Sequence, residues 1–384
     1  MDLKSERAST EAVDVVVIGA GQAGLAAGYH LSSTDRSFVI LDSSERVGDV
    51  WRKRWESLSL FTPAEFNGLP GLSFPAPPKH FPTKDEMADY LEAYVERFDL
   101  PVRLRTTVTR VARHGDGYVV ETGDVRYLTS AVIVAMAGYQ QPCTPAWSDD
   151  LDPRIHQIHS ASFRSEADLH GRVLVVGAAT SGAELAILSA QSGHETTLVG
   201  RDVGEIPFRI DGFLGRALLV RLVLRIGFHR VLTVRTPIGR RARPKILSQG
   251  APRVRDKRRD VAAAGVEWIR SRAEGARDGL PVLADGRSLD VDTVLWCTGL
   301  RPDHSWIDVH VFGDHEPDHH EGIVDAAPGL YFLGLTFLHS LSSSMVQGVG
   351  RDAKRIVDHL VSNEALTPVT KTEQTEPVGG PAGL

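Results

Sequence analysis

Three glycines and an aspartate stand at a spacing that suits the binding of a nucleotide diphosphate. Gly19, Gly21 and Gly24 follow the apolar run Val15–Ile18, and Asp42 follows about 20 residues later. Gly19 permits a tight turn, Gly21 lets a diphosphate approach the backbone, and Gly24 lets a helix pack closely on the strand. The N-terminus of that helix attracts the diphosphate, and the carboxylate can accept hydrogen bonds from ribose hydroxyls. The pattern predicts a dinucleotide site built on a strand, a turn and a helix.

The stretch Val173–Ala190 repeats this pattern. It reads as an apolar strand, a turn that contains Gly177 and Gly182, and a helix. Ala179 stands where the first turn has Gly21, so the backbone there is slightly less open to a phosphate group. We therefore predict a second dinucleotide unit in the same chain.

The two units differ at the end of their second strands. The first has Asp42 after the strand Phe38–Leu41, whereas the second has Gly200 and Arg201 after Thr196–Val199. An arginine can pair with a 2′-phosphate that a carboxylate would repel. The sequence therefore favours FAD in the first unit and NADPH in the second, with a solvated surface charge as the alternative interpretation of Arg201.

The chain is long enough for two domains, because its 384 residues exceed the ~250–300 at which a single core stops growing. We expect an α/β protein with two dinucleotide-binding Rossmann-type domains, the NADPH domain being inserted into the FAD domain. The expected bounds are 1–168 and 299–364 for the FAD domain, 169–298 for the NADPH domain with a helical segment at 206–250, and 365–384 for a disordered tail. The helical segment mixes apolar residues with arginines, which suits a lid or, alternatively, a membrane or partner surface.

Composition excludes several classes of function. A net charge of −6 is too small to make nucleic acid the main partner. Cys143 and Cys297 are the only cysteines and stand far apart, which suits a reducing cytosol rather than a disulfide framework. No apolar run reaches the ~18–20 residues of a membrane span, and the polar N-terminal stretch does not read as a signal peptide. We expect a cytoplasmic protein without stable membrane insertion, and a monomer and a homo-oligomer both stay open.

Several motifs accompany the two glycine turns. They are GDVWRKRWESLSLFTP (Gly48–Pro63), FPTKDEMADYLEAYVERFDL (Phe81–Leu100), VLWCTGLRPD (Val294–Asp303) and the closing segment Gly329–Leu360. With these motifs, residues 13–360 resemble the bacterial flavin-containing monooxygenases, which are related to the YUCCA-type and Baeyer–Villiger flavoprotein monooxygenases.

The resemblance implies an activity as well as a fold. NADPH would reduce the flavin, and a flavin C4a-hydroperoxide would transfer one oxygen atom from O₂ to a small nucleophilic nitrogen or sulfur substrate or to a carbonyl. The alternative is an NADPH-dependent flavin reductase or oxidase that does not oxygenate a substrate. A disulfide reductase of the usual kind would need a Cys-x-x-Cys motif, which this chain lacks.

The turns and the resemblance together predict the cofactor-binding residues. For FAD they are Gly19, Gly21, Gln22, Ala23, Gly24, Asp42, Trp51 and Met345, and for NADPH they are Gly177, Ala179, Thr180, Ser181, Gly182, Arg201, Thr298 and Gly299. No side-chain nucleophile is required, and the candidates for a catalytic role are Trp51, His159 and His339. Each has a structural alternative, namely core packing for the tryptophan and packing or loop positions for the histidines.

The last predictions concern loops and departures from the family pattern. A strand is expected to end at Leu335, and the serines at 342–344 are expected to cap a helix that starts near Met345. Met136 replaces the family's usual threonine. The stretch Ile155–Ser165 resembles the family motif that links the two domains: His159 and Phe163 match it, whereas Pro153 and Ile155 depart from it. The residues GDHEPDHHE (313–321) contain His315, His319 and His320, but the proline among them disfavours a helical metal site, so we predict a solvated polar loop and no metal.

Overall fold

The computed structural model describes residues 9–136, 138–206, 222–249, 252–313, 316–363 and 366–367. Much of the predicted helical segment (207–221 and 250) and nearly all of the predicted tail lie outside the described residues. Leu366, inside the range predicted as a tail, is buried in the core.

The described residues form strands and helices in the following order. The strands are Ser9–Ala12 (β1), Val15–Ile18 (β2), Phe38–Leu41 (β3), Val102–Arg103 (β4), Arg110–His114 (β5), Gly117–Glu121 (β6), Val125–Thr129 (β7), Ala131–Val134 (β8), Gln141–Pro142 (β9), His156–His159 (β10), Val173–Val176 (β11), Thr196–Val199 (β12), Glu267–Ile269 (β13), Ala273–Arg277 (β14), Leu280–Leu283 (β15), Thr293–Trp296 (β16), Leu300–Arg301 (β17), Ile307–Asp308 (β18) and Leu330–Phe332 (β19). The α-helices are Gln22–Leu31 (α1), Asp49–Arg52 (α2), Lys84–Phe98 (α3), Thr180–Gln191 (α4), Pro237–Gln249 (α5), Arg258–Ala263 (α6) and Val346–Ser362 (α7), and a π-helix covers Val223–Val231.

The first parallel sheet has the strand order β19-β8-β2-β3-β4. Its central strands β2 and β8 are buried along their whole length, as is usual for parallel strands that are covered on both faces. Helices α1 and α7 pack against each other beside this sheet. The predicted limits of β2 and β3 are confirmed.

The second parallel sheet has the order β10-β16-β11-β12-β13. Its strand β11 aligns with β12 from Val173 opposite Thr196 to Val176 opposite Val199, so both predicted strands pair as a nucleotide-binding unit requires. Strand β10 joins this sheet although it precedes residue 169. We therefore propose that the inserted domain begins near His156 rather than at residue 169.

The remaining strands form one mixed sheet and two antiparallel pairs, one of which is β14 with β15. A mixed sheet has the order β1-β7-β6-β5-β18, and the short strands β9 and β17 pair antiparallel where the chain passes between the units. Helix α3 begins at Lys84, and Thr83 and Glu86 form a reciprocal capping box at its start. Among the helices that the structure describes, none is long and apolar enough to cross a membrane.

Two predictions about the closing segment are wrong. Strand β19 ends at Phe332 rather than at Leu335, because the chain turns at Gly334, which has a φ of +80°. Helix α7 does begin after Met345, but no side chain caps it. The Ser343 hydroxyl instead accepts hydrogen bonds from the backbone N–H groups of His339 and Ser340, both at 3.0 Å, and so shapes the loop before the helix.

Candidate nucleotide sites and the contact between them

The first glycine turn has the geometry that its sequence predicts. Gly19 has a φ of +104°, and a Cβ on Gly24 would lie 1.8 Å from the Gly19 carbonyl oxygen, so α1 approaches the turn too closely for a side chain. A Cβ on Gly21 would meet no protein atom within 4 Å. The turn is therefore closed on the helix side and open at Gly21, where the backbone N–H groups of the helix start could receive a diphosphate.

Asp42 is tied to this turn at the end of β3. Its Oδ2 accepts a hydrogen bond of 2.6 Å from the Ala20 N–H, and its Oδ1 accepts one of 2.8 Å from the Ser44 N–H. Each carboxylate oxygen keeps a further lone pair. The carboxylate is thus held beside the turn and can still accept hydrogen bonds from ribose hydroxyls.

The start of α7 lies next to the start of α1. Gln22 donates a hydrogen bond of 3.4 Å from its side-chain amide to the carbonyl of Ser344, the residue before Met345. Ala23 is in contact range of Gly334, since a Cβ on that glycine would lie 3.0 Å from the Ala23 Cβ. Two helix N-termini, both favourable to anions, therefore converge on one side of the first sheet.

The second turn copies the first almost atom for atom. Gly177 has a φ of +108°, and a Cβ on Gly182 would lie 1.7 Å from the Gly177 carbonyl oxygen. Ala179 has φ −79° and ψ −165°, close to the −77° and −175° of Gly21, so alanine adopts this backbone without strain. Thr180 and Ser181 form the first turn of α4, as predicted for a phosphate-binding helix start.

The ends of β3 and β12 show the difference between the two units. Gly200 follows β12 where Asp42 follows β3, and a Cβ on Gly200 would lie only 2.6 Å from the Ala178 nitrogen. The carboxylate of the first unit is therefore absent from the second. The Arg201 side chain is exposed at this edge.

A buried arginine takes part in this edge of the second unit. Arg253 is fully buried, donates a hydrogen bond of 3.1 Å to the Ala178 carbonyl and lies over the Trp268 ring at 4.6 Å. The Trp268 indole N–H donates to the Gly200 carbonyl at 3.1 Å. The turn and the strand end are thus held together by a guanidinium group and an aromatic ring.

The two nucleotide-binding units meet through aromatic side chains. Trp55 and Leu58 belong to the first unit by sequence but are buried in the apolar core of the second. Trp51, on α2, packs against the cores of both units. Its indole nitrogen is buried and has no hydrogen-bond partner among the described residues, which marks it as a donor available at the junction.

An acidic side chain lies in the same contact. Glu184, on α4, accepts a hydrogen bond of 3.2 Å from the Trp55 indole, while its Oε2 is buried without a hydrogen-bond partner in the described structure. Burial, assisted by the negative charge of Asp256, raises the pKa of Glu184 to about 7, although Trp55 and Arg255 oppose this shift. A carboxyl group that changes charge near neutral pH therefore lies between the units.

His159 is occupied by backbone groups. Its Nε2 donates to the Gly299 carbonyl at 3.1 Å, and its Nδ1 accepts from the Ala161 N–H at 3.1 Å. Burial lowers its pKa, with the Gly299 carbonyl opposing and Arg54 reinforcing the shift. The geometry gives this histidine a structural role, holding the end of β10 to the turn after β16.

The predicted pair Thr298 and Gly299 lies at that turn. The Thr298 hydroxyl donates to the Cys143 carbonyl, and the Cys143 N–H donates to the Gly299 carbonyl at 3.0 Å. Gly299 has a φ of +86°, and a Cβ there would meet no protein atom within 4 Å. The turn connects the second sheet to the return strand β17 and leaves room beside the backbone.

His339 faces a buried carboxylate. Its Nδ1 lies 3.0 Å from Glu321 Oε1, but without the angle of a hydrogen bond. Arg235 binds the same carboxylate through two bonds of 2.6 and 2.8 Å, and Arg355 lies 3.5 Å away. Burial would raise the pKa of Glu321, but Arg235 and His339, with Arg355, outweigh it and lower the pKa to about 2.

The solvated loop predicted at 313–321 is exposed at Gly313, Asp318 and His320, but Glu321 at its end departs from the prediction, because its side chain is 2 % exposed and binds charged partners. Among the described residues, no group of three or more His, Cys, Asp or Glu side chains could hold a metal ion, and His315 lies outside them. The segment after the π-helix also docks here, since the Val234 N–H donates to the His339 carbonyl at 2.9 Å. The loop therefore holds residues 232–249, the segment that follows the π-helix (called the inserted segment below), to the first unit.

Sequence reasoning missed Glu184, Arg253 and Asp202. Glu184 follows a predicted glycine by two residues, so its position beside the helix start could have marked it. Nothing in the sequence pairs Arg253 with Asp202, which stand 51 positions apart. The two residues meet only because the fold brings these distant segments together.

Comparison with known proteins agrees with this geometry. Residues 16–206 match the family model for pyridine nucleotide-disulphide oxidoreductases. A CzcO-like uncharacterized oxidoreductase of Geobacillus kaustophilus is 34% identical over 354 residues, which cover 91% of this chain and 99% of the relative. A probable indole-3-pyruvate monooxygenase of Arabidopsis thaliana, YUCCA9, is 28% identical over 342 residues, 79% of each chain.

A solved structure extends the likeness to three dimensions. The flavin-containing monooxygenase of Stenotrophomonas maltophilia superposes with a TM-score of 0.71 at 30% identity, covering 92% of this chain and 99% of that one. The match spans both nucleotide-binding units and the segments that join them. The chain therefore belongs to the family of bacterial flavin-containing monooxygenases and CzcO-like oxidoreductases.

Proposed function

We propose that the chain is an FAD- and NADPH-dependent monooxygenase that transfers one oxygen atom from O₂ to a small nucleophilic nitrogen or sulfur substrate or to a carbonyl. The observation that carries this proposal is the pair of matching glycine turns, one with a carboxylate at the strand end and one without. Family membership supports the oxygenase reaction over other uses of two nucleotides.

The first unit fits FAD. The open side of Gly21 and the N–H groups at the start of α1 would hold the diphosphate, and Asp42 would accept hydrogen bonds from the ribose. The start of α7 after Met345 would place a positive helix end beside the ring system. Trp51 would border the ring on the side of the second unit.

The second unit fits NADPH. The turn from Gly177 to Gly182 and the first residues of α4 would hold its diphosphate. The strand end lacks a carboxylate at Gly200 and offers Arg201 for the 2′-phosphate. Thr298 and Gly299 would border the nicotinamide half.

When bound, the flavin supplies the redox and oxygen chemistry, and the protein supplies position and exclusion of water. Trp51, Trp55 and Leu58 close the contact between the units with apolar surface. That contact would exclude water from the reacting groups, as oxygen activation requires.

A thiol-based reductase is disfavoured by the cysteines. Cys297 is buried, and burial raises the pKa of its thiol to about 12, so little thiolate forms at neutral pH. Cys143 does not lie in a Cys-x-x-Cys motif. The matching family model, which takes its description from disulfide reductases, therefore reflects the shared nucleotide-binding fold.

The test is a two-step rapid reaction with the FAD-loaded protein. NADPH is added without oxygen until the flavin is bleached, and air-saturated buffer is then mixed in while the flavin spectrum is recorded. We expect an absorbance band that belongs to neither the oxidised nor the reduced flavin and that lasts longer when NADP⁺ is retained. Added amines or sulfides should shorten its lifetime.

Two other results would contradict the proposal. Immediate return of the oxidised spectrum with one hydrogen peroxide per flavin would indicate an oxidase or a reductase. A flavin that NADPH does not bleach would exclude NADPH as the reductant.

A further inference from the structure

An acidic residue directly follows, in the chain, the arginine that we assign to the NADPH phosphate. Asp202 follows Arg201 at the end of β12, and its side chain is 14% exposed. A carboxylate in this position would repel a 2′-phosphate and weaken the selectivity that Arg201 provides. The site therefore needs something to offset this charge.

Two arginines provide the offset. Arg253 donates a hydrogen bond of 2.9 Å to Asp202 Oδ1, which also accepts 3.0 Å from the Gly204 N–H. The Arg258 Nε lies 2.6 Å from Oδ2 as an ion pair, without the angle of a hydrogen bond. The carboxylate is thus in contact with a guanidinium group on each oxygen.

The two arginines are placed by different parts of the chain. Arg253 is fully buried, and its backbone pairs with Gly204 and Ile206, so its position is fixed by the fold. Arg258 is the first residue of α6, and its side chain is 52% exposed. The Arg258 side chain can therefore be removed without opening the core.

The ionisation of Asp202 agrees with these contacts. Burial would raise the pKa of Asp202, but the Gly204 N–H, Arg253 and Arg258 outweigh burial and lower it. The side chain is therefore a carboxylate at neutral pH, and its effect on a phosphate depends on its arginine partners.

We propose that Arg253 and Arg258 mask the charge of Asp202 and so determine the preference of the second site for NADPH over NADH. The inference rests on the proposed function, since it assumes that the second turn binds a nicotinamide nucleotide. Asp202 and Arg258 are specificity-determining residues that act on the 2′-phosphate through charge rather than by contact with the reacting groups.

The test measures nucleotide binding rather than turnover. NADP⁺ and NAD⁺ are titrated separately into the oxidised, FAD-loaded protein, and the change in flavin absorbance gives each dissociation constant. We expect Arg258→Met to weaken NADP⁺ about fivefold and to leave NAD⁺ within about twofold, as for one partly screened charge near a surface. The loss should shrink at high salt.

A double variant and a matched control make the result specific. Adding Asp202→Asn to Arg258→Met should restore NADP⁺ binding, because the charge that needed masking is gone. Arg259→Met is the control, since Arg259 is also an exposed residue of α6 (63% for its side chain) but its ion pair is with Asp260. Flavin content and melting temperature are compared for all variants.

Each outcome has one meaning. A wild-type protein that binds neither nucleotide, or prefers NAD⁺, would contradict the proposed NADPH site itself. If the wild type prefers NADP⁺ but Arg258→Met behaves like Arg259→Met, the masking is wrong while the proposed function stands. If Arg258→Met weakens the binding of NADP⁺ and NAD⁺ equally, or if the double variant does not recover NADP⁺ binding, the masking proposal is also overturned.

Discussion

Gly21 and Gly24 have different roles in the first turn, although both are required by the same sequence motif. Gly24 is required by the protein itself, because any side chain there would collide with the Gly19 carbonyl. Gly21 has no such conflict, and its backbone angles are open to any residue. The space beside Gly21 is therefore kept for a ligand rather than for packing.

The Gly21→Ala and Gly24→Ala variants should therefore differ in their defects. Gly21→Ala should fold normally and bind its flavin more weakly than the wild type, because the added methyl group occupies space at the diphosphate; binding should not be abolished, since the second turn has Ala179 at the equivalent position. Gly24→Ala should be destabilised by several kcal/mol, about the cost of overpacking a core. The flavin-to-protein absorbance ratio and the melting of the flavin-free proteins distinguish the two, and a flavin-free Gly21→Ala that melts as low as Gly24→Ala would contradict the distinction.

Glu184 predicts a pH effect on stability. Its pKa of about 7 in the folded protein lies above the ordinary glutamate value of 4.5, so the folded state favours the protonated form. Wild-type stability should therefore fall as pH rises from about 4.5 to about 7, by roughly 3 kcal/mol relative to Glu184→Gln, which cannot ionise.

Urea unfolding of both proteins at several pH values between 5 and 8 measures this difference. The glutamine variant should be the more stable protein at pH 8, and the gap should narrow toward pH 5. Parallel pH curves would show that Glu184 keeps an ordinary pKa. Glu166→Gln serves as control, because Glu166 is exposed to solvent whereas Glu184 is buried.

At the level of strands and helices, sequence predicts best where local stereochemistry decides the structure. The strands Val15–Ile18, Phe38–Leu41 and Thr196–Val199 were predictable because buried parallel strands are short continuous apolar runs. The turn at Gly177 was predictable because its backbone and its close packing both require glycine.

Sequence predicts poorly where distant segments decide the structure. His156–His159 reads as a linker, but it becomes an edge strand because β16, more than 130 residues later, pairs with it. Glu321 reads as part of a solvated loop, but Arg235 and Arg355 reach it from other elements. In each case, the deciding partner is far away in the chain, so no local pattern marks it.

The ion pairs of Glu321 are expected to stabilise the contact between the inserted segment and the first unit. Its pKa of about 2 lies below the ordinary 4.5, so it contributes stability above about pH 4.5, which is lost as pH falls through 2. Glu321→Gln should lower stability by about 2 kcal/mol at pH 7, less than the full pKa difference because Arg235 is exposed to solvent screening.

Denaturant unfolding at pH 7, 4 and 3 tests this role. The gap between wild type and Glu321→Gln should close toward pH 3. A gap that is constant with pH would indicate lost packing rather than lost charge. Glu316→Gln is a useful comparison, because its ion pair with Arg243 also touches the inserted segment but is partly exposed.

The molecule as a whole depends on a core that both units share. Trp55 belongs to the first unit by sequence and is 4% exposed inside the core of the second. Arg255 reaches in the other direction and donates a hydrogen bond of 2.7 Å to the Leu60 carbonyl. Since apolar surface and hydrogen bonds cross the contact in both directions, the units should behave as one cooperative body.

Heating should therefore release the flavin and unfold the second unit together in the wild type. Trp55→Ala removes a buried aromatic side chain at a cost of about 3–5 kcal/mol, and because the loss falls on the contact, it should separate the two events. The second unit should unfold first, seen by circular dichroism, while flavin fluorescence stays quenched until a higher temperature. Trp147→Ala is the matched control: Trp147 packs on Trp296 in a separate apolar cluster that includes neither Trp51 nor Trp55, so its loss should lower one shared transition without splitting it. A single coincident transition in Trp55→Ala would mean that other contacts couple the units.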